Sequence, residues 1–143
     1  MPGKTIIKTK EYQGYQLSQQ EHTFQTKYLD RGIQMIDSMS SRHSKVFQVR
    51  MDFRYPQEME SDGSNQDFQK TLQGLSRELA RQECDPQYIA RREQVSSHNP
   101  HLHLVLMVDG NKRRCADTLN RIAEKHWANT LGISKEEVHQ RKL

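Results

Sequence analysis

The chain has 143 residues, of which 33% are hydrophobic and 28% are charged, and this length suits one domain with a single core. It excludes a large multidomain enzyme, and no apolar run approaches the roughly 20 residues of a membrane span. The net charge of +4 comes from residues 111–143, which contain 8 Lys and Arg but only 4 Asp and Glu. Residues 1–110 contain 14 basic and 14 acidic residues, so their charges cancel. We expect a soluble, cytoplasmic protein with reduced cysteines. Its basic end indicates either a polyanion partner such as nucleic acid or simply a solvated helix.

The first half of the chain contains a polar arm, a helix and a strand. Residues 1–27 are rich in glutamine, and we interpret them as an arm whose order depends on what it contacts, whereas residues 28–143 form the domain. Apolar residues recur at helical spacing from 28 to about 41, which predicts an amphipathic helix. Apolar and polar residues then alternate from 45 to 55, which predicts a strand with one buried face.

The second half predicts two helices around a pair of strands. Residues 65–82 have an unbroken apolar stripe of helical spacing, and residues 88–95 and 101–108 predict a hairpin of two strands. A long basic helix is expected at 112–131, and Ser134 begins a capping box that opens a last helix near the end of the chain. The fold prediction is α+β, an antiparallel sheet with helices on one face and the other face open.

Two histidines on the last strand are candidate metal ligands. Alternation places His101 and His103 on the open face, about 6.5–7 Å apart, so both imidazoles can reach one ion. Glu93 precedes His101 by eight residues, and the short turn brings it opposite or diagonal to that histidine. Two imidazoles and one carboxylate suit Mn²⁺ or Mg²⁺ handling a phosphate, and Zn²⁺ is compatible by ligand type. The alternative is a pair of histidines on a solvated face.

These residues resemble a known family. The segment Pro100-His101-Leu102-His103-Leu104 is similar to the His-hydrophobic-His motif of HUH endonucleases, the initiators of rolling-circle replication and their relatives. Segments 46–56, 85–94 and 124–132 resemble, in the same order, the inovirus gene-two-type replication proteins of filamentous phages and prophages. The resemblance therefore spans most of the domain, from about 29 to 132.

The resemblance implies a fold and an activity. The fold is a sheet of RRM-like topology, and the reaction is site-specific nicking and joining of single-stranded DNA at a replication origin, through a 5′-phosphotyrosine, in a bacterial host cell. It implies Glu93, His101 and His103 as ligands of Mn²⁺ or Mg²⁺. We expect neither a nucleotide cofactor nor a membrane partner, and no oligomeric state is predicted. The alternative is a non-catalytic module that holds single-stranded DNA on the same sheet.

The position of the nucleophilic tyrosine departs from this pattern. The resemblance implies a tyrosine on a helix after the His-x-His strand, but none follows His103. We expect it to lie beyond Leu143, because the chain ends inside a helix that it has just capped. Two alternatives stay open: a relative that only binds DNA, or a nucleophile at Tyr12 or Tyr15, since relaxases place the tyrosine before the histidines.

Polar residues of the strand 45–55 are candidate DNA contacts. Arg50, Asp52 and Arg54 share the open face, where the arginines could bind phosphates and Asp52 could orient a histidine or a metal-bound water. The alternative is a cross-strand ion pair with Arg91 or Glu93.

A second basic group follows the His-x-His strand. Lys112, Arg113 and Arg114 are expected to begin the next helix, where they oppose the helix dipole and thereby favour an anionic partner. Further along that helix, Trp127 is most simply a core residue, with a base-stacking platform as the alternative.

Overall fold

The computed structural model describes residues 6–7, 11–12, 15–16, 24–94 and 99–140. Its strands are β1 (Ile6–Ile7), β2 (Glu11–Tyr12), β3 (Tyr15–Gln16), β4 (Phe24–Gln25), β5 (Val46–Arg54), β6 (Gln87–Glu93) and β7 (His101–Asp109). Its helices are α1 (Thr26–Arg42), α2 (Gln66–Arg81), α3 (Ala116–Leu131) and α4 (Lys135–Gln140). Within the polar arm, β1 pairs with β4 and β2 with β3. Most of the arm lies outside the described residues.

A three-stranded antiparallel sheet organises the domain. Its order is β5-β7-β6, so the strand with the two histidines lies between the other two. The predicted hairpin is confirmed as β6 and β7, with Glu93 paired to His101. The chain leaves β5, crosses over through α2 and enters β6, and β5 pairs with β7 on the side opposite to β6. The fold is therefore mixed α/β with an antiparallel sheet, as the hydrophobic periods predicted.

The main core lies between one face of the sheet and the helices α2 and α3. The four apolar residues that alternate along β7 are all buried there: Leu102, Leu104, Leu106 and Val108. Trp127 of α3 stacks on Phe68 of α2 with ring centroids 5.4 Å apart, and its indole N–H donates to the carbonyl of Arg54 at 2.9 Å. Trp127 is 1% exposed, so its interpretation as a core residue is confirmed and the base-stacking alternative is wrong.

Helices α2 and α3 approach closely at a glycine. A Cβ on Gly74 would lie 2.5 Å from Nδ1 of His126, so a side chain there would force the imidazole of His126 to move. Glu78, one turn further on, accepts hydrogen bonds from Nε2 of His126 at 2.8 Å and from Lys125 at 2.6 Å. Partial burial alone would raise the pKa of Glu78, but these two donors together hold it below its usual value. The interface thus combines close packing with charged hydrogen bonds.

Helix α1 packs against the sheet face that bears the histidines, so the prediction of helices on one face only is wrong. Its Met39 and the Met107 of β7 are buried but lie outside the main core. A Cβ on Gly32 would stand 3.7 Å from Cδ1 of Ile89, which shares that face. The apolar stripe of α1 needs a partner surface, and the far end of this face supplies one.

Among the described residues, no helix is long and apolar enough to cross a membrane.

The basic residues 112–114 precede α3, so the prediction that they begin this helix is wrong. The amides of Lys112 and Arg113 donate to the carbonyl of Asp109, which forms a turn at the end of β7. Cys115 then has an extended backbone as the N-cap residue, and the helix begins at Ala116. Because these charges stand before the first helical turn, the dipole argument for an anionic partner is weakened.

Candidate functional site

The accessible part of the histidine-bearing face is a grid of polar residues. Residues paired across neighbouring strands point to the same side of a sheet. The two outermost rows across β5, β7 and β6 are Arg54, His101 and Glu93, and then Asp52, His103 and Arg91. The next row inwards is Arg50, Val105 and Ile89, where the covering by α1 begins. Both predicted histidines and the predicted carboxylate thus lie on one face, beyond the rows against which α1 packs.

His103 is held between two carboxylates, which we call the His103 cluster: Asp52, His103 and Glu93. Its Nδ1 lies 2.8 Å from Oδ1 of Asp52, directly across from it on β5. Its Nε2 lies 3.1 Å from Oε2 of Glu93, which reaches diagonally from β6. Asp52 therefore contacts His103 through the kind of hydrogen bond by which a carboxylate orients a histidine ring.

The alternative interpretation of the β5 residues, a cross-strand ion pair with Arg91 or Glu93, does not describe the contacts of Asp52. Strand β7 separates β5 from β6, so Asp52 has His103 as its neighbour and not Arg91 or Glu93. Arg91 instead lies 3.8 Å from Glu93 on its own strand. Because both groups of that pair are well exposed, it contributes little to stability.

The donor atoms of the His103 cluster are compatible with a divalent ion. Two neighbouring ligands of an octahedral ion lie about 3 Å apart, which is the spacing of Nε2 of His103 and Oε2 of Glu93. A carboxylate on the second imidazole nitrogen, as in Asp52, is the usual partner of a metal-binding histidine. His101 lies in the next row, and as they stand no three such side chains in the described part of the chain are grouped to hold a metal.

A buried asparagine that sequence reasoning missed anchors the start of β7. Asn99 accepts from the amide of Ser61 at 2.8 Å and donates to the carbonyl of Met59 at 2.7 Å. The acidic loop after β5 is thereby tied to the segment that leads into His101. An asparagine before a proline is an ordinary turn residue in sequence, so only its position in the fold distinguishes it.

The structure describes the side chain of Tyr55, and those of the two candidate nucleophiles lie outside its description. Tyr12 and Tyr15 are register partners in the pairing of β2 with β3, and nothing further of these two residues is described. Tyr55 is buried and donates to Asp67 at 2.8 Å. Burial is the main reason that the pKa of Tyr55 is raised to about 12, so it is unsuited to act as a nucleophile.

The second predicted basic group lies at the opposite end of the sheet. Residues 112–114 follow the end of β7, whereas His101 begins it, and a strand of nine residues spans about 25–30 Å. Lys112 lies 3.6 Å from Glu83, and Arg113 donates to the side chain of Gln82 at 2.7 Å. The predicted DNA contacts are therefore two separate groups, and Arg50, Asp52 and Arg54 are the group that shares the face of the histidines.

A second imidazole between two carboxylates lies at that far end, and we call it the His43 cluster: Asp85, His43 and Asp109. Nε2 of His43 is 2.7 Å from Asp85 and Nδ1 is 3.3 Å from Asp109, while Arg42 also bonds Asp85 at 2.9 Å. The hydrogen bond from His43 is the main reason that the pKa of Asp85 is lowered. No spacing in the sequence indicated this cluster, because its members come from three distant segments.

Comparison with known proteins gives one family. A family model described as the YagK/YfjJ C-terminal domain matches residues 7–141. No curated protein and no solved structure matches the chain.

Proposed function

The chain belongs to the YagK/YfjJ C-terminal domain family, and from its central strand we propose that it is a metal-dependent domain of the HUH type that nicks and joins single-stranded DNA. The proposal rests on one observation. His103 is held by Asp52 and Glu93 at the end of the sheet face that lies beyond α1, with His101 on the same face. Two imidazoles and a carboxylate at that place suit an ion that acts on a phosphate.

The order of the elements supports an RRM-like topology. The chain runs β5, α2, β6, β7 and α3, which corresponds to the first five elements of the β-α-β-β-α-β pattern. The sheet order β5-β7-β6 sets the third strand of that pattern in the middle. In this arrangement α2 and α3 cover one face and leave the outer rows of the other accessible, which suits an extended single strand.

Each residue of the His103 cluster has a distinct role in the proposal. Glu93, His101 and His103 would hold the ion, and Asp52 fixes the orientation and tautomer of the His103 ring. When bound, Mn²⁺ or Mg²⁺ polarises a phosphate oxygen and stabilises the charge that develops during phosphodiester transfer. Asp52 is thus a positioning residue.

Arginines of the same face supply the phosphate contacts. Arg50 and Arg54 stand on β5 in the rows next to Asp52, and Arg91 stands exposed on β6. Guanidinium groups bind phosphate oxygens in a forked geometry, which orients a strand but does not read its sequence. They would lead the scissile phosphate towards His103 and Glu93.

The proposal needs a nucleophilic hydroxyl, and the segment after His103 in the given sequence contains no tyrosine to provide it. Attack needs a hydroxyl about 3–3.5 Å from phosphorus, and no tyrosine follows His103. We expect no covalent DNA adduct from this chain with Mn²⁺ on a denaturing gel, using a pool of single-stranded oligonucleotides. An adduct that disappears in Tyr12→Phe or Tyr15→Phe would place the nucleophile on the arm instead.

The second candidate function is a non-catalytic module that holds single-stranded or origin DNA on the same sheet. It is favoured by the Asp52–His103–Glu93 contacts, which satisfy the imidazole without an ion. Binding of DNA with the same affinity in Mn²⁺ and in EDTA, together with no binding of Mn²⁺ itself, would favour this module.

Calorimetric titration of Mn²⁺ tests the proposal directly. We expect His103→Ala and Glu93→Gln to abolish binding, and Asp52→Asn to weaken it about 10- to 100-fold, since it removes only the orienting partner. Asp85→Asn is the matched control, because it makes the same carboxylate-to-amide change in the His43 cluster and should bind Mn²⁺ like the wild type. Equal binding by the wild type and His103→Ala contradicts the proposal.

A further inference from the structure

The outer edge of β5 has no partner strand in the described part of the chain, because the sheet order β5-β7-β6 ends there. All of β5 keeps a regular register with β7, from Val46 opposite Asp109 to Arg54 opposite His101, so this edge is long and has no bulge. The strand contains neither proline nor lysine. Proteins commonly protect a free edge with such residues, with a bulge or with a short strand. The edge of β5 therefore has the properties of one that takes a partner strand.

The opposite edge strand, β6, is engaged by other parts of the chain. Its Arg92 donates to the side chain of Asn65 at 2.6 Å and to the carbonyl of Gly63 at 2.9 Å, so the loop before α2 is tied to this strand. Helix α1 approaches β6 at Ile89 from the other face. An extended partner is thus better accommodated at β5.

The exposed side chains of β5 select one pairing register with a second copy of the same strand. They are Gln48, Arg50, Asp52 and Arg54, and all four lie on the histidine-bearing face. Two copies related by a twofold axis perpendicular to the sheet pair antiparallel with the same face upwards. If Met51 lies on that axis, Arg50 of each copy stands opposite Asp52 of the other.

The neighbouring registers place like charges opposite each other. An axis at Arg50 sets this arginine opposite its own copy, and an axis at Asp52 does the same with the carboxylate. An axis at Phe53 restores opposite charges but pairs only the last three residues of β5. Opposite charges across two strands stabilise their pairing and like charges destabilise it, so the axis at Met51 is favoured.

We propose that β5 pairs in this register with β5 of a second copy of the chain and forms one continuous six-stranded sheet. Both histidine-bearing faces then lie on the same side, with the two β7 strands about 14 Å apart, which is three strand spacings. Arg50 of the second copy would stand beside the Asp52 carboxylate that contacts His103. A guanidinium has five N–H donors, so Arg50 can contact a carboxylate and a phosphate together. This pairing needs neither metal nor DNA and is independent of the proposed function.

Sedimentation velocity at low salt, without DNA or metal, tests the pairing over about 1 μM to 1 mM protein, since an interface of one strand pair is small. We expect the wild type to change from the 16.9 kDa monomer to a dimer as its concentration rises. Arg50→Glu and Asp52→Arg should each raise the dissociation constant at least about tenfold, because each creates two like-charge pairs. An equimolar mixture of these two variants should restore a dimer, because every such pair then joins opposite charges.

Two controls make the same charge reversal elsewhere on this face. Arg54→Glu lies on β5 but stands opposite the neutral Gln48 in the proposed register, and Arg91→Glu lies on β6. Both should dimerise like the wild type.

A wild type that stays monomeric over the whole range overturns the proposal, and so does a dimer that Arg50→Glu leaves intact. A mixture that stays monomeric shows that the two residues are not opposite each other, and equal losses in Arg54→Glu and Arg50→Glu exclude this register. Urea unfolding followed by the fluorescence of the buried Trp127 shows whether each variant is folded. If Asp52→Arg does not fold, the difference between Arg50→Glu and Arg54→Glu decides the outcome.

Discussion

The two ends of β7 contain the same chemical group in opposite settings. The His103 cluster and the His43 cluster both place an imidazole between two carboxylates. In the His103 cluster the carboxylate side chains are 46% and 41% exposed, whereas those of Asp85 and Asp109 are 33% and 11% exposed. The comparison shows that a His–carboxylate array by itself does not indicate function. Its access to solvent and its surroundings decide whether a ligand can enter.

The surroundings of the His43 cluster are those of a structural joint. The amide of Asp109 donates to the carbonyl of Cys84, and the amide of Gly110 donates to the carbonyl of Lys45, both at 2.8 Å. A Cβ on Gly110 would lie 3.0 Å from the Lys45 backbone, so the two segments are in close contact. The cluster thereby ties the end of α1, the start of β6 and the end of β7 together. The His103 cluster joins only side chains of adjacent strands, which a ligand can rearrange.

The largest expected effect is on stability. We expect His43→Ala to lower the free energy of unfolding by about 1.5–3 kcal/mol, the range for hydrogen bonds between side chains and charged groups. We expect His103→Ala to cost about 1 kcal/mol or less, because its partners remain solvated. Urea unfolding followed by the fluorescence of the buried Trp127 measures both. A larger loss in His103→Ala would reverse the assignment of the two clusters.

The second prediction concerns the two separated basic groups. Each phosphate contact on a single strand contributes about −0.7 to the slope of log K against log salt concentration. Replacing Arg50 and Arg54 with Gln should therefore flatten the slope by about 1.4, and replacing residues 112–114 with Gln by about 2 if the strand extends over the whole sheet. Polarisation titrations at several salt concentrations measure these slopes. An unchanged slope in the 112–114 variant confines the DNA to the His103 end, and an unchanged slope in the Arg50 and Arg54 variant excludes that end.

The smallest expected effect is the dependence of stability on pH at the His43 end. The pKa of Asp85 is lowered mainly by its hydrogen bond with His43, so the unfolded chain binds the proton more readily than the folded one. This contribution to stability is present above the unfolded value of about 3.8 and is lost as the pH falls through the lower folded pKa. Unfolding midpoints of the wild type and Asp85→Asn measured from neutral pH downwards should converge in acid. Parallel curves would mean that Asp85 does not contribute.

Local patterns predicted the elements themselves. The alternation along β5 and β7 and the apolar stripe of α2 gave bounds within one residue of those observed. The capping box was also correct, since the hydroxyl of Ser134 accepts from the amide of Glu137 at 3.2 Å. These features depend on residues a few positions apart, so the sequence contains all the information that they require.

Part of the candidate site could also be predicted from patterns of residues that are close in sequence. Alternation put His101 and His103 on one face, and the short hairpin put Glu93 opposite or diagonal to His101, because both follow from the period of a strand and the length of a turn. The structure shows the opposite position. The sequence also offered Asp52 as a residue that could orient a histidine, but not which histidine, since Asp52 meets His103 only through the pairing of β5 with β7. That pairing joins residues 51 positions apart in the chain.

The sequence by itself determined the periods, the caps and the hairpin, and with them the face on which both histidines stand. Only the tertiary structure decided that α1 covers the inner half of that face, that residues 112–114 lie at the far end of β7, and that His43 meets Asp85 and Asp109. The physical reason is that these arrangements follow from which apolar surfaces pack together after the elements form. The apolar stripe of α1 predicts that this side of the helix is buried, but it does not specify the sheet face against which the helix packs.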